Sequence, residues 1–116
     1  MSSIVIVFRE KCDVGVLRDL HKLIGGSLSQ TLEVIKKGKP VIEMELFDGK
    51  YDEKADLLRN LIALFKRGGV SIDIYELPSG QNFETSSLLN ESRINLKTLE
   101  NILVASDDEF ERQLNS

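Results

Sequence analysis

The stretch DEKADLLRNLIALFKRGGVSIDIY, residues 52–75, decides the fold. Leu58, Leu61, Ile62 and Phe65 recur at helical spacing, and Leu57 and Leu64 widen that stripe sideways, so the spacing predicts a helix from about Asp52 to Arg67. An apolar arc that wide needs more than one surface to bury it. Gly68-Gly69 stops the helix, and Val70-Ser71-Ile72-Asp73-Ile74-Tyr75 alternates apolar and polar, the period of a strand with one face covered. A helix turning directly into a strand through two glycines implies a layer of helix on sheet.

Upstream, Ile4-Val5-Ile6-Val7-Phe8 is β-branched with no polar face and predicts a strand covered on both sides. Asp13 is placed to cap a helix through about Ile24 whose apolar positions are Val14, Leu17, Leu20, Leu23 and Ile24, with Gly25-Gly26 as its stop. Ser27 opens a second helix carrying Leu28, Thr31, Leu32 and Ile35, and Lys36, Lys37 and Lys39 suit its negative end. After Pro40, residues Val41–Phe47 alternate as a half-exposed strand with Glu43 and Glu45 on the wet face, and Asp48-Gly49 is a turn signal. Downstream, Pro78-Ser79-Gly80-Gln81-Asn82 marks the clearest break in composition. Beyond it, Leu96, Leu99, Ile102 and Leu103 predict one amphipathic helix after Asn95, and Ser106-Asp107-Asp108-Glu109 predicts a capping-box start for a further acidic turn or two carrying Phe110 and Leu114.

The expected fold class is therefore α/β of the α+β kind. It is a two-layer β-α-α-β-α-β unit over 1–78, with a small, mostly antiparallel three-stranded sheet and helices on one side, followed by an acidic helical extension over 79–116 packed on the same single domain. Packing of the Leu96/Leu99/Ile102/Leu103 face over the excess apolar surface of the long helix would contribute about 1.5–3 kcal/mol per buried aliphatic side chain before ordering entropy is subtracted.

At 116 residues, with 41% hydrophobic and 29% charged residues, the chain is of ordinary globular type. A start of Met1-Ser2-Ser3-Ile4 with no basic leader, and the lack of any long apolar run, lead us to expect a soluble, cytoplasmic protein with no membrane contact. The net charge of −4 is uneven: residues 1–79 hold 12 acidic and 12 basic side chains, whereas 80–116 hold 7 and 3. Without a basic stripe the chain is not expected to bind nucleic acid directly, and a basic protein is the better-matched partner.

From Val14-Gly15-Val16-Leu17-Arg18 opening the first helix, through Gly25-Gly26-Ser27-Leu28 opening the second, to Ala55-Asp56-Leu57-Leu58 and the Gly68-Gly69-Val70-Ser71-Ile72-Asp73-Ile74 ending, the chain resembles the C-terminal domain of the bacterial ribosomal stalk protein, a fold shared with the Clp-protease adaptor. The resemblance spans residues 3–77 and implies a β-α-α-β-α-β domain whose first two helices dock translation factors. The chain has Arg18 at a position of that docking surface, with Asp13, His21 and Leu32 where the family tends to carry Lys or Arg.

Candidate chemistry is sparse. One cysteine, Cys12, precludes an internal disulfide, and Cys12 with the lone His21 makes a thin case for a nucleophile and base. Glu43 and Glu45 lie about 7 Å apart by the strand repeat and read as two charges on a solvated sheet face. Asp48, Asp52 and Glu53 lack the spacing of a calcium loop, and Gly25-Gly26-Ser27 lacks the rest of a phosphate-binding loop. No enzyme activity, metal or cofactor is expected. The residues expected to meet a partner are Asp107, Asp108, Glu109 and Glu111 at the acidic end, with Arg18 and His21 on the first helix. The function these features predict is a stoichiometric inhibitor of the immunity-protein type, neutralising a basic toxin and existing as a monomer or weak homodimer; the alternative is an adaptor docking through Arg18.

Overall fold

A computed structural model describes residues 2–10, 13–45, 50–78, 81–86 and 89–115, with side chains described in those ranges except at 2, 106 and 108–115. Strand β1 (Ser2–Phe8) leads into helices α1 (Val14–Ile24) and α2 (Leu28–Lys36), then β2 (Pro40–Glu45), α3 (Tyr51–Gly68) and β3 (Ile72–Pro78). A short helix α4 (Leu89–Ser92), a two-residue strand β4 (Arg93–Ile94) and the long helix α5 (Leu96–Asn115) complete the chain. The element order of the first 78 residues is the β-α-α-β-α-β order that the apolar periodicities predict.

The sheet has the order β2-β1-β3-β4, with every neighbouring pair antiparallel. Among the described residues it is four-stranded rather than three-stranded: Ile74 and Tyr75 of β3 pair with Ile94 and Arg93. Two residues are too short to show a period-two pattern, so β4 leaves no trace in the hydrophobic periodicity. The central position of β1 explains its uniformly apolar sequence. Ile4, Ile6 and Phe8 face the helices, while Val5 and Val7 face the other way with Leu77, against Tyr75, Phe83 and Leu89. Helices therefore cover one face, and part of the segment between β3 and β4 crosses the other. Phe83 stands edge-on to Tyr75 with ring centroids 5.9 Å apart, and its N–H donates to Glu43 Oε2 at 2.8 Å, tying this strap to β2.

Local signals account for most helix ends. Asp13 accepts from the Val16 N–H at 2.8 Å, and Ser27 and Gln30 form a reciprocal capping box. The two glycines after α3 serve different ends. Gly69 adopts φ +61°, the left-handed C-cap conformation. Gly68 is needed for space, since a Cβ there would lie 2.7 Å from Val16 Cγ2 on α1 and 3.2 Å from Val70 Cγ2. Gly68→Ala is accordingly expected to lower the unfolding free energy by about 1–3 kcal/mol by overpacking. Adding Val16→Ala should recover part of that loss, a sign reversal that urea denaturation of the single and double variants would detect.

Apolar positions divide unevenly between core and surface. In α1, Val16, Leu17 and Leu20 are buried, but Val14, counted in the predicted stripe, is 70% exposed in the first turn. In α2 only Thr31 and Ile35 face inward, leaving Leu28 and Leu32 45% and 48% exposed. Leu32 lies about 100° round the helix from Thr31, beyond the reach of a core that this short helix meets along one narrow line.

The C-terminal region differs from its sequence reading in one respect. In place of two helices separated at Ser106, α5 runs unbroken from Leu96 to Asn115. Asn95 caps it, accepting from the Thr98 N–H at 2.8 Å. Val104-Ala105 contains neither Gly nor Pro to interrupt it, and Asp107, next to the expected break, is engaged with α3. Leu99 and Leu103 are buried in the same cluster as Leu58, Leu61, Ile62 and Phe65, and Leu96 and Ile102 pack against it. The broad arc of α3 is thus covered from two sides, by the sheet with α1 and by α5.

Candidate functional site

Helices α3 and α5 meet along a seam that carries Glu100 and Asp107 of the C-terminal third. The side chains of Lys66 and Glu100 pair at one end, and those of Arg59 and Asp107 pair farther along. The Tyr51 hydroxyl donates to Asp107 Oδ1 at 2.7 Å, and Arg59 also faces Asp56 at 3.6 Å. The hydrogen bond from Lys66 holds the Glu100 carboxyl below the ordinary carboxylate value, with the charges of Lys66 and Lys97 acting in the same direction. Between these pairs lies a cleft of about 370 Å³ bordered by Ile62, Ala63, Leu103 and Val104, the last 60% exposed.

Tyr51 is 7% exposed and anchors the first turn of α3, which Lys50 opens at φ +51° with no side-chain cap. Its hydroxyl reaches a carboxylate 56 positions away in sequence, so a phenol at the start of one helix fixes the middle of another. Tyr51→Phe is expected to destabilise the fold by about 1.5–3 kcal/mol, the range for hydrogen bonds to charged groups. In a double-mutant cycle the loss should shrink when Asp107→Asn is already present.

The residues expected to meet a partner fall into separate places. Asp107 is half-buried and committed to Tyr51 and Arg59. Asp108, Glu109 and Glu111 continue α5, but their side chains lie outside the described residues, as do those of Phe110 and Leu114. Arg18 is exposed on α1, and His21 is half-buried on the same helix with a buried Nδ1 that has no hydrogen-bond partner among the described residues. Both α1 and α5 pack principally on α3. Cys12 and the Asp48-Gly49 turn, with Leu46 and Phe47 at the predicted end of β2 and Ser79-Gly80 of the composition break, also lie outside the described residues. Glu43 has a structural duty through Phe83. Among the described residues, no group of three His, Cys, Asp or Glu is placed to hold a metal ion, and no helix is long and apolar enough to cross a membrane.

A second charged cluster was not foreseen. Asp73 of β3 takes Arg9 Nε at 3.2 Å and Arg93 Nη2 at 2.8 Å on its Oδ1. Tyr75, beside it, has its phenol pushed above 10.0, first by burial and then by the Asp73 carboxylate, with Arg93 and Arg9 opposing. These residues are 64 and 20 positions from Asp73, and only the pairing of β1 and β4 on either side of β3 unites them. The alternation of β3 does place Asp73 and Tyr75 on one face, which is the only part of the cluster that periodicity foreshadows.

No family model matches this chain, and neither the curated proteins nor the solved structures include a significant match to it.

Proposed function

We propose that this chain is a non-enzymatic protein-binding module acting in the cytoplasm as a stoichiometric inhibitor of the immunity-protein type, with the acidic end of α5 meeting a basic partner. The observation that carries this reading is the double anchoring of Asp107 on Tyr51 and Arg59. It fixes the helix that bears Asp108, Glu109 and Glu111 to the body of the domain, so negative charge is offered on an ordered support. Ordering before binding reduces the entropy lost on association, and concentrated charge of one sign speeds encounter with the opposite sign.

The test uses the purified chain and a basic protein encoded beside it. A one-to-one complex is expected, with an association rate that falls at least tenfold from low salt to about 0.5 M. The variant combining Asp108→Lys, Glu109→Lys and Glu111→Lys should lose the same factor while Asp107 and the fold stay intact. An association rate unmoved by either change overturns the reading. Inhibition should also survive Cys12→Ala combined with His21→Ala, since neither side chain has a chemical role here.

A second reading, an adaptor docking through the α1–α2 hairpin, is favoured by the apolar surface that hairpin leaves uncovered: Val14, Leu28 and Leu32 are exposed, as is Arg18. Arg18→Glu with Leu32→Asp abolishing binding to an elongation factor or a Clp chaperone subunit would support it over the inhibitor reading.

A further inference from the structure

A different face carries the opposite charge. Between the end of the sheet and the start of α5 runs an open groove of about 760 Å³, with Val70, Ile72, Ile94 and Leu96 supplying its apolar lining and Arg9, Arg93 and Lys97 its cations. We propose that this groove docks an acidic peptide segment from another protein, one that carries apolar anchors between its carboxylates.

The charge balance favours this occupant. Arg9 and Arg93 share one carboxylate, Asp73, so their pairing leaves an uncompensated guanidinium charge, and both side chains remain about half exposed. Lys97 is exposed in the first turn of α5. Its charge acts on Glu100, whose carboxylate is already held by Lys66. The positive end of the α5 dipole adds to the same potential. The groove is therefore locally cationic in a chain whose net charge is −4. Its half-buried aliphatic lining gains from being covered, which a purely ionic ligand would not do.

Geometry favours an extended peptide over a compact ligand. Among the described residues, strand β4 ends the sheet order and pairs on its β3 side only. An added strand can align its backbone along that edge, sending alternate side chains toward Ile94 and Leu96 and the others toward the arginines. A phosphate-rich polymer fits less well, because affinity for a nucleic-acid backbone grows with the number of clustered cations and is not helped by an aliphatic floor. The proposal is independent of the inhibitor reading: Lys97 opens α5, whereas Asp108 to Glu111 lie near its other end.

The experiment is a fluorescence-anisotropy titration of the full chain with a labelled eight-residue peptide containing glutamates interspersed with leucine and phenylalanine, alongside the same peptide with lysine in place of glutamate. Saturable binding of the acidic peptide only is expected. Lys97→Glu should weaken it about fivefold or more, equivalent to roughly 1 kcal/mol, with an unchanged thermal melt, and Lys97→Gln should weaken it less. Amide resonances of Val70 and of Ile94 through Thr98 should shift on addition of peptide, a readout that does not depend on any variant. Equal binding of the lysine peptide, or shifts confined to other surfaces, overturns the proposal. So does concentration-dependent self-association of the chain with shifts at these same amides and no peptide binding, because the occupant would then be a second copy.

Discussion

Leu99→Ala is expected to remove about 2–5 kcal/mol of unfolding free energy, the range for a fully buried leucine whose neighbours cannot collapse into the space. Leu99 is 0% exposed and shares a cluster with Leu58, Leu61, Ile62 and Phe65. An ordinary domain has only about 5–15 kcal/mol in total, so one truncation in the last third would consume a large part of the margin. Urea denaturation followed by far-UV circular dichroism checks it. If α5 were an appendage, the midpoint would barely move and the helical signal of α5 alone would be lost. A single cooperative transition at lower urea is the outcome expected of a helix that belongs to the core.

Phe65→Ala should cost still more, about 3–5 kcal/mol. Its ring is 1% exposed and meets Phe8 edge-on, with centroids 5.5 Å apart and planes at 77°. That contact links the end of β1 to the last turns of α3, so the variant loosens the sheet from the helix layer. A double-mutant cycle with Phe8→Leu should return a coupling of about 0.5–1.5 kcal/mol, the aromatic contribution beyond simple burial. Additivity within error would show that the two rings act only through the area they bury.

The sequence is most legible where a pattern repeats. The stripe of α3, the all-apolar β1 and the caps at Asp13 and Ser27 each follow from residue types at fixed local spacing. Leu28 and Leu32 show where that reading stops: periodicity identifies an apolar side of α2 without saying how much of it the rest of the fold can reach. Strand β4 is too short to have a period. Asp107, beside the expected break in α5, meets Tyr51 and Arg59, partners roughly 50 positions away that no local spacing points to. The same holds for Asp73, whose guanidinium partners arrive from just beyond β1 and from β4. The acidic end of α5 was visible as composition, whereas the cationic groove near its start exists only after the sheet has assembled.

The position of β1 also bears on how the chain is made. It is synthesised before the strands it pairs with, and because Ser2 to Phe8 pair with Pro78 to Ile72, one of its two partners follows about 70 residues later, a wait of roughly 4–14 s at 5–20 residues per second. Until β2 and then β3 follow, the nascent polypeptide carries Ile4-Val5-Ile6-Val7-Phe8 without its full set of neighbours, a segment of the kind that self-associates in cross-β form. Productive biogenesis of this protein therefore depends on shielding this strand during translation, and overexpression that outruns the cell's holdase chaperones should deposit it in inclusion bodies.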